Sequence, residues 1–81
     1  MDDPEKLVQR QRIIDAVNAQ GGRIEGVDLR EIQVKLGFGE ISRSVFRGHI
    51  GALATGGSLG WRRPTYGSNT AIDTSNSGIY Q

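Results

Sequence analysis

The apolar positions near the start of the chain recur with the period of an α-helix. They are Leu7, Ile13, Ile14 and Val17, and polar residues fill most of the positions between them. Because this spacing gathers apolar side chains on one side of a helix, the segment is predicted to pack that side against a core. The acidic residues and proline at 2–4 are typical of a helix start, and the glycines at 21–22 end the helix. Residues 23–27 alternate and predict a minimal strand or an extended linker.

A second helix is predicted to begin at Asp28. The sequence DLRE places a capping acceptor three residues before Glu31, and this spacing favours a reciprocal capping arrangement. The buried side of the helix is predicted to consist of Leu29, Ile32 and Leu36. Gly37 is expected to end the helix in a left-handed conformation, and Phe38 and Ile41 are expected to anchor the following turn in the core.

The third predicted helix carries a clear division between an apolar and a polar side. Ser42 is its expected N-cap, and the spacing of Ile41 and Phe46 is that of a hydrophobic staple across the helix start. The predicted apolar side comprises Val45, Phe46, His49, Ile50, Ala52 and Leu53. The opposite side comprises Arg43, Ser44, Arg47, Gly48 and Gly51. Glycines inside a helix cost about 1 kcal/mol each relative to alanine, so a packing or contact reason is expected for them.

The last third of the chain predicts a β-hairpin. Residues 59–63 are predicted as a strand, residues 64–69 as a turn rich in Pro, Gly, Ser and Asn, and residues 70–72 as the returning strand. The pattern therefore predicts one domain over residues 1–73. Residues 74–81 are expected to form a flexible C-terminal tail, because they offer little to bury.

Length and composition exclude several classes of protein. A chain of 81 residues is long enough for one small core. The absence of cysteine and the single histidine argue against a disulfide framework and a zinc site. No apolar run approaches the ~20 residues that span a bilayer, and the first residues are acidic where a secretory signal would be basic. We therefore expect a cytoplasmic protein that does not bind membranes.

Catalysis is not expected from this sequence. The carboxylates are scattered over predicted helix caps and surfaces, and no pair falls in a predicted cleft. His49, the one histidine, lies between Val45 and Leu53 on an apolar helix side and is expected to be a hydrogen-bonded core residue. No phosphate-binding motif with a Gly-Lys-Ser/Thr ending is present. We expect no enzyme activity, no cofactor, no metal and no small-molecule ligand.

The charged residues are sorted along the chain. Residues 1–40 hold six bases and eight acids, whereas residues 41–72 hold four arginines and no acid, and the net charge is +1. A local positive field attracts polyanions even when the whole chain is nearly neutral. Nucleic acid is therefore the first partner to consider.

The order of these elements resembles the winged helix-turn-helix family of DNA-binding proteins. The resemblance covers residues 29–64, which hold a second helix, a glycine turn, a third helix with a polar side and a basic strand. It implies an α/β (α+β) fold of three helices with a C-terminal β-hairpin wing. In that family the third helix enters the major groove, and the wing contacts the adjacent backbone or minor groove. Carried over by position, the implied base-reading residues are Arg43, Ser44 and Arg47, and Ser42 caps the helix near a phosphate.

The predicted wing supplies a second set of contacts, to the DNA backbone. Its predicted members are Arg62, Arg63, Tyr66, Ser68 and Asn69, which offer guanidinium, hydroxyl and amide donors. Arg62 and Arg63 are consecutive strand residues, so only one of them can share a face with the third helix. Arg63, next to the turn, is expected to be the better phosphate ligand. Trp61 is expected to lie in the core.

The sequence thus predicts a small duplex-DNA-binding protein, similar to phage- or plasmid-type regulators and acting on transcription. A homodimer is expected because specific affinity usually requires two half-sites. Val8 and the pair Ile79 and Tyr80 are the candidate interface residues. The alternative is a protein-interaction module in which the same basic surface binds an acidic partner and inhibits a nucleic-acid-processing assembly. The two hypotheses differ in salt dependence, which is steep for DNA binding.

Overall fold

Three helices and three strands form an α+β arrangement, which confirms the predicted α+β class and the predicted number of helices. The computed structural model describes residues 3–65 and 67–74. Its elements are α1 (Pro4–Ala19), β1 (Arg23–Gly26), α2 (Leu29–Lys35), α3 (Arg43–Thr55), β2 (Gly60–Arg62) and β3 (Thr70–Asp73). The strands form one antiparallel sheet in which β3 lies between β1 and β2. Residues 23–26 therefore form a strand of this sheet and not a linker.

Side-chain caps determine where the helices begin. Asp3 accepts a hydrogen bond from the Glu5 amide at 3.0 Å, and Ser42 accepts one from the amide three residues later at 3.1 Å. Asp28 accepts from the Glu31 amide at 2.8 Å, as predicted. The carboxylate of Glu31 accepts from the amide of Val27 at 3.0 Å, one residue before the helix cap. The capping arrangement at α2 is therefore reciprocal but extends one residue further than the predicted one.

The turn between α2 and α3 begins at a left-handed glycine. Gly37 has φ +88°, a conformation that side chains rarely tolerate. It allows the Phe38 amide to donate to the Gln33 carbonyl at 3.0 Å, which satisfies one of the last carbonyls of α2. Phe38 is thereby brought back over the helix end, where its ring lies 6.1 Å from that of Phe46. The predicted helix stop and the predicted core anchor are both confirmed.

The core lies between one face of the sheet and the three helices. Its buried members are Ile13, Val17, Ile24, Ile32, Phe38, Phe46, Ile50, Leu53, Leu59 and Ile72. Trp61 packs against this cluster while remaining partly exposed, so its predicted core position is confirmed in part. The strand register places Trp61 beside the core. Ile24 and Trp61 both pair with Ile72 of the central strand, so the three side chains lie on the same face of the sheet.

Two predicted core positions are wrong. Leu7 is 50% exposed and Val45 is 48% exposed. The core covers only the second half of α1, where Ile13 and Val17 are buried, so the helix extends beyond the surface that it packs on. In α3 the narrow stripe of residues 46, 49, 50 and 53 is sufficient to fill the available space, and Val45 lies outside it.

The described chain ends in an ordered connection to α1 and β1. Thr74 donates its amide to the Gly22 carbonyl at 2.8 Å, and its hydroxyl donates to the side chain of Asn18. Thr74, which was predicted to begin the tail, therefore belongs to the folded domain. The remaining tail residues, including Ile79 and Tyr80, lie outside the described residues, as does Asp2. Within the described ranges, no helix combines the length and the hydrophobicity needed to cross a membrane.

Candidate nucleic-acid interface

The first turns of α3 present exposed arginines. Arg43, Ser44 and Arg47 are all exposed, and the N-cap Ser42 is exposed with them. Arg43 and Arg47 are four residues apart, so they lie on the same side of the helix with Cβ atoms about 5–6 Å apart. Among residues 3–65 and 67–74, neither guanidinium forms an ion pair with a carboxylate. Both arginines are therefore available to an external anion.

The packing of the described residues does not require glycine at the two glycine positions inside α3. Gly48 is exposed and Gly51 is partly exposed, and both have ordinary helical φ values. A Cβ atom built at either position would meet no atom within 4 Å outside the local helix. The fold would accept alanine at both sites, and alanine is the better helix former. The glycines leave a strip of bare backbone beside Arg47, which a partner could approach closely.

Arg63 lies on the same face of the hairpin as Trp61, the face that continues from the core. Its guanidinium stacks over the ring of Trp61 at 4.8 Å from the ring centroid. The indole N–H of Trp61 donates to the Thr70 hydroxyl at 3.0 Å, and that hydroxyl donates to the Arg62 carbonyl at 2.8 Å. Trp61 therefore links both strands of the hairpin and also supports Arg63. Cation–π stacking leaves the edge of the guanidinium, with its N–H groups, free to donate.

Arg62 lies on the face of the sheet opposite to Trp61 and Arg63. Its guanidinium lies 3.3 Å from the Glu25 carboxylate and donates to the Asn69 carbonyl at 3.3 Å. Arg62 and Glu25 lie on either side of Ala71, whose small side chain leaves room for the two long side chains to meet. Glu25 also pairs with Arg23 at 3.5 Å. The chain's own acid thus partly neutralises Arg62.

The connection between β2 and β3 carries exposed polar side chains. Thr65 and Ser68 form an isolated antiparallel bridge, in which the Ser68 amide donates to the Thr65 carbonyl at 2.9 Å. Ser68 and Asn69 are exposed. Their hydroxyl and amide groups are suitable donors to phosphate or sugar oxygens. The predicted contact Tyr66 lies outside the described residues.

His49 is a core residue that joins α3 to α1. It is only 5% exposed, and its Nδ1 atom accepts a hydrogen bond from Nε of Arg10 at 3.2 Å. Burial, followed by the charges of Arg10 and Lys6, lowers the pKa of His49 below its ordinary value of 6.5. The neutral imidazole is therefore the form that this site accommodates. The predicted role as a hydrogen-bonded core histidine is confirmed.

Gln33 is a structural determinant of this region that the sequence analysis did not identify. It is 1% exposed, and its side-chain amide donates to the carbonyls of Phe38 and Ile41, both at 2.8 Å. These carbonyls lie in the turn immediately before the N-cap of α3. A signal was present, since a glutamine next to Ile32 and four residues after Leu29 falls on the apolar side of α2.

A metal site or an anion-binding groove would require particular side chains on the rest of the described surface. In the described part of the chain, no group of three His, Cys, Asp or Glu side chains could hold a metal ion. A groove of about 770 Å³ lies at the end of α3, beside Arg23, Arg62 and Asp73. Arg23 is paired with Asp73 at 3.5 Å, and Arg62 with Glu25, so these groove arginines are already compensated. The α3 arginines that lack an acidic partner among the described residues lie at the other end of this helix.

Comparisons of the chain with protein-family models, with curated proteins and with solved structures gave no match. The geometry of the described residues is therefore the basis for assigning a function.

Proposed function

We propose that this chain is a winged helix-turn-helix protein that binds duplex DNA and acts as a transcriptional regulator. Support for the architecture comes from the order of its elements, in which α2, a tight turn and α3 precede the β2 and β3 hairpin. Support for the activity comes from the charges on α3 and on the hairpin. In this proposal α3 is the recognition helix, and the hairpin of β2 and β3 is the wing.

One observation carries the proposal: α3 exposes two adjacent arginines that have no acidic partner among the described residues. Arg43 and Arg47 lie in the first half of α3, the part of a recognition helix that reaches base edges. A helix with its side chains is about 10–12 Å wide and fits a major groove about 12 Å wide. An arginine can donate two hydrogen bonds to guanine, which discriminates by roughly 1–3 kcal/mol. Arg43, Ser44 and Arg47 are the proposed base-reading residues.

The wing is proposed to hold the DNA backbone, and its members are not equivalent. Arg63 is oriented by Trp61 and has no acidic partner within the described ranges, so it is the main proposed phosphate ligand. Ser68 and Asn69 would add hydrogen bonds at the tip, together with Tyr66. Arg62 would contribute less, because a phosphate must compete with Glu25 for its guanidinium.

A titration with labelled duplex DNA tests the proposal. Fluorescence anisotropy at several salt concentrations should give affinities that fall with salt at a log–log slope of about 0.9 per phosphate contact. Backbone amide shifts should be confined to residues 42–48 and 62–70. Arg12→Ala, which removes an exposed arginine from α1, is the matched control and should preserve affinity. Absence of binding at low salt would refute the proposal.

A protein-interaction module is the second candidate, and one observation favours it. Val45 is 48% exposed among the polar residues of α3, and an apolar side chain suits a protein interface. The same valine could instead contact a thymine methyl group in a major groove. The salt slope separates the two functions, because a protein interface responds far less to salt than several phosphate contacts do.

The proposal also includes a homodimer in the cytoplasm. One recognition helix reads few base pairs, and paired half-sites one helical turn apart are the usual solution. Val8 of α1 is 59% exposed and remains the candidate interface residue within the described part of the chain. Val8→Asp should abolish dimer formation in sedimentation analysis if this surface joins the two copies. An unchanged sedimentation coefficient would exclude Val8 from the interface.

A further inference from the structure

The side chain of Gln33 connects α2 to both ends of the turn that leads into α3. Its amide nitrogen donates to the Phe38 carbonyl and to the Ile41 carbonyl, each at 2.8 Å. The backbone carbonyl of Gln33 accepts from the Phe38 amide at 3.0 Å. One residue thus makes three hydrogen bonds to a turn of four residues. Ile41 is followed directly by Ser42, which caps α3.

The placement of a glutamine here is not explained by core packing. A buried amide is favourable only when its donors are paired, and an apolar side chain of the same size would fill the space without that requirement. Hydrogen bonds are directional, whereas apolar contacts tolerate rotation and sliding. Two bonds from one planar amide therefore restrict how the turn, and the helix after it, can rotate relative to α2.

Packing around the turn is consistent with this role. The Phe38 and Phe46 rings lie 6.1 Å apart, so the turn and α3 share an aromatic contact. Ile41 packs against the core, but it is only partly buried. Such contacts hold α3 against the domain but leave its orientation less strictly defined. The amide of Gln33 supplies the directional restraint at the point where α3 begins.

We propose that Gln33 is a positioning residue that sets the orientation of α3 and thereby the register of Arg43 and Arg47 on base edges, without contacting DNA. The proposal rests on the function proposed above. Loss of the amide should leave the domain folded, with α3 less uniquely oriented. Binding to random duplex should persist, because phosphate contacts tolerate small displacements. Discrimination between sequences should decline, because hydrogen bonds to base edges do not tolerate such displacements.

The test compares Gln33→Met with Ile32→Val. Methionine has a similar length without hydrogen-bonding donors, and Ile32→Val removes one methylene group from the neighbouring buried residue of α2. The measured quantity is the ratio of affinities for a selected preferred duplex and a random duplex. Gln33→Met should lower this ratio about tenfold, equivalent to about 1.4 kcal/mol or one bidentate base contact. Ile32→Val should lower stability and leave the ratio unchanged.

A second measurement is independent of DNA binding. Residual dipolar couplings of the free protein report the orientation of α3 relative to α2, and scalar couplings across the two hydrogen bonds report Gln33 directly. We expect to observe the scalar couplings in the native protein. In Gln33→Met we expect the dipolar couplings of residues 43–55 to differ from those of the native protein. Gln33→Asn, whose amide is one methylene shorter, serves if the methionine variant does not fold.

The outcomes distinguish this inference from the function itself. An unchanged affinity ratio together with unchanged dipolar couplings would overturn the positioning role, as would absence of the scalar couplings. If the native protein binds no duplex, the proposed function fails, and the dipolar couplings still decide whether Gln33 orients α3. If Gln33→Met and Ile32→Val lower the affinity ratio equally, the role of Gln33 is purely structural.

Discussion

Replacing the two glycines of α3 by alanine should separate folding stability from DNA binding. Gly48→Ala and Gly51→Ala each add one methyl group on the exposed side of the helix. In the free protein that methyl group meets no atom within 4 Å outside the local helix. Neither glycine has positive φ, so alanine also introduces no backbone strain. The substitutions therefore test what the glycines provide other than a stable fold.

The expected gain in stability follows from helix propensity. Alanine is favoured over glycine in a helix interior by about 1 kcal/mol, chiefly because glycine loses more conformational entropy on folding. No steric cost offsets this gain, so each variant should be about 1 kcal/mol more stable. For a domain of this size, 1 kcal/mol corresponds to roughly 4–8 °C in Tm. The double variant should gain about twice as much, because the two methyl groups are too small to collide.

Binding should change in the opposite direction. If α3 approaches a DNA groove through the bare backbone beside Arg47, a methyl group at residue 48 keeps the helix away from the base edges. We expect the affinity for the preferred duplex to fall about tenfold or more, which corresponds to a loss of about 1.4 kcal/mol. Gly51→Ala should act in the same direction, with a smaller effect because this residue lies further from the start of the helix.

The assay combines thermal unfolding, followed by circular dichroism, with anisotropy titration of labelled duplex. Val34→Ala is the control, because Val34 is an exposed residue of α2 and alanine there raises helix propensity without touching α3. It should raise Tm and preserve affinity. A glycine variant with higher Tm and native affinity would refute the close-approach interpretation. A lower Tm would refute the argument from free space.

Three further predictions follow from the charges. Arg47→Ala should weaken binding to the preferred sequence more than binding to random duplex. Arg63→Ala should weaken binding to both duplexes about equally and reduce the salt slope by about 0.9. Equal losses of specificity in the two variants would remove this division of roles. Glu25→Gln should release Arg62, raise the affinity for duplex DNA severalfold and steepen the salt slope by up to about 0.9. An unchanged slope would show that Arg62 does not reach a phosphate. The pKa of His49 is lowered from 6.5 in the folded protein, so the unfolded chain takes up a proton first as the pH falls. The stability that the neutral imidazole contributes should therefore be complete above about pH 6.5 and be lost progressively below it. Chemical denaturation at several pH values should reveal this slope, and His49→Gln should reduce it.

The ends of the helices were predictable from the sequence because they depend on neighbours in the chain. Asp28 and Ser42 cap amides three residues away, and Gly37 reverses the chain within one turn. Such interactions need no knowledge of distant residues. The hairpin was predictable for the same reason, since the turn residues lie between its two strands. The charge sorting along the chain likewise indicated a basic surface on α3.

Other features depend on contacts between residues far apart in the chain, and only the tertiary structure decides them. β3 is the central strand because β1, more than forty residues earlier, pairs along its second edge. That pairing brings Glu25 to Arg62, whereas Arg63, the next residue, has no acidic partner in the part of the chain that the structure describes. The exposure of Val45 and the burial of Gln33 depend on which part of each helix the small core covers. Local sequence determines elements and their ends, whereas long-range packing determines which charges remain free, and the candidate site consists of those charges.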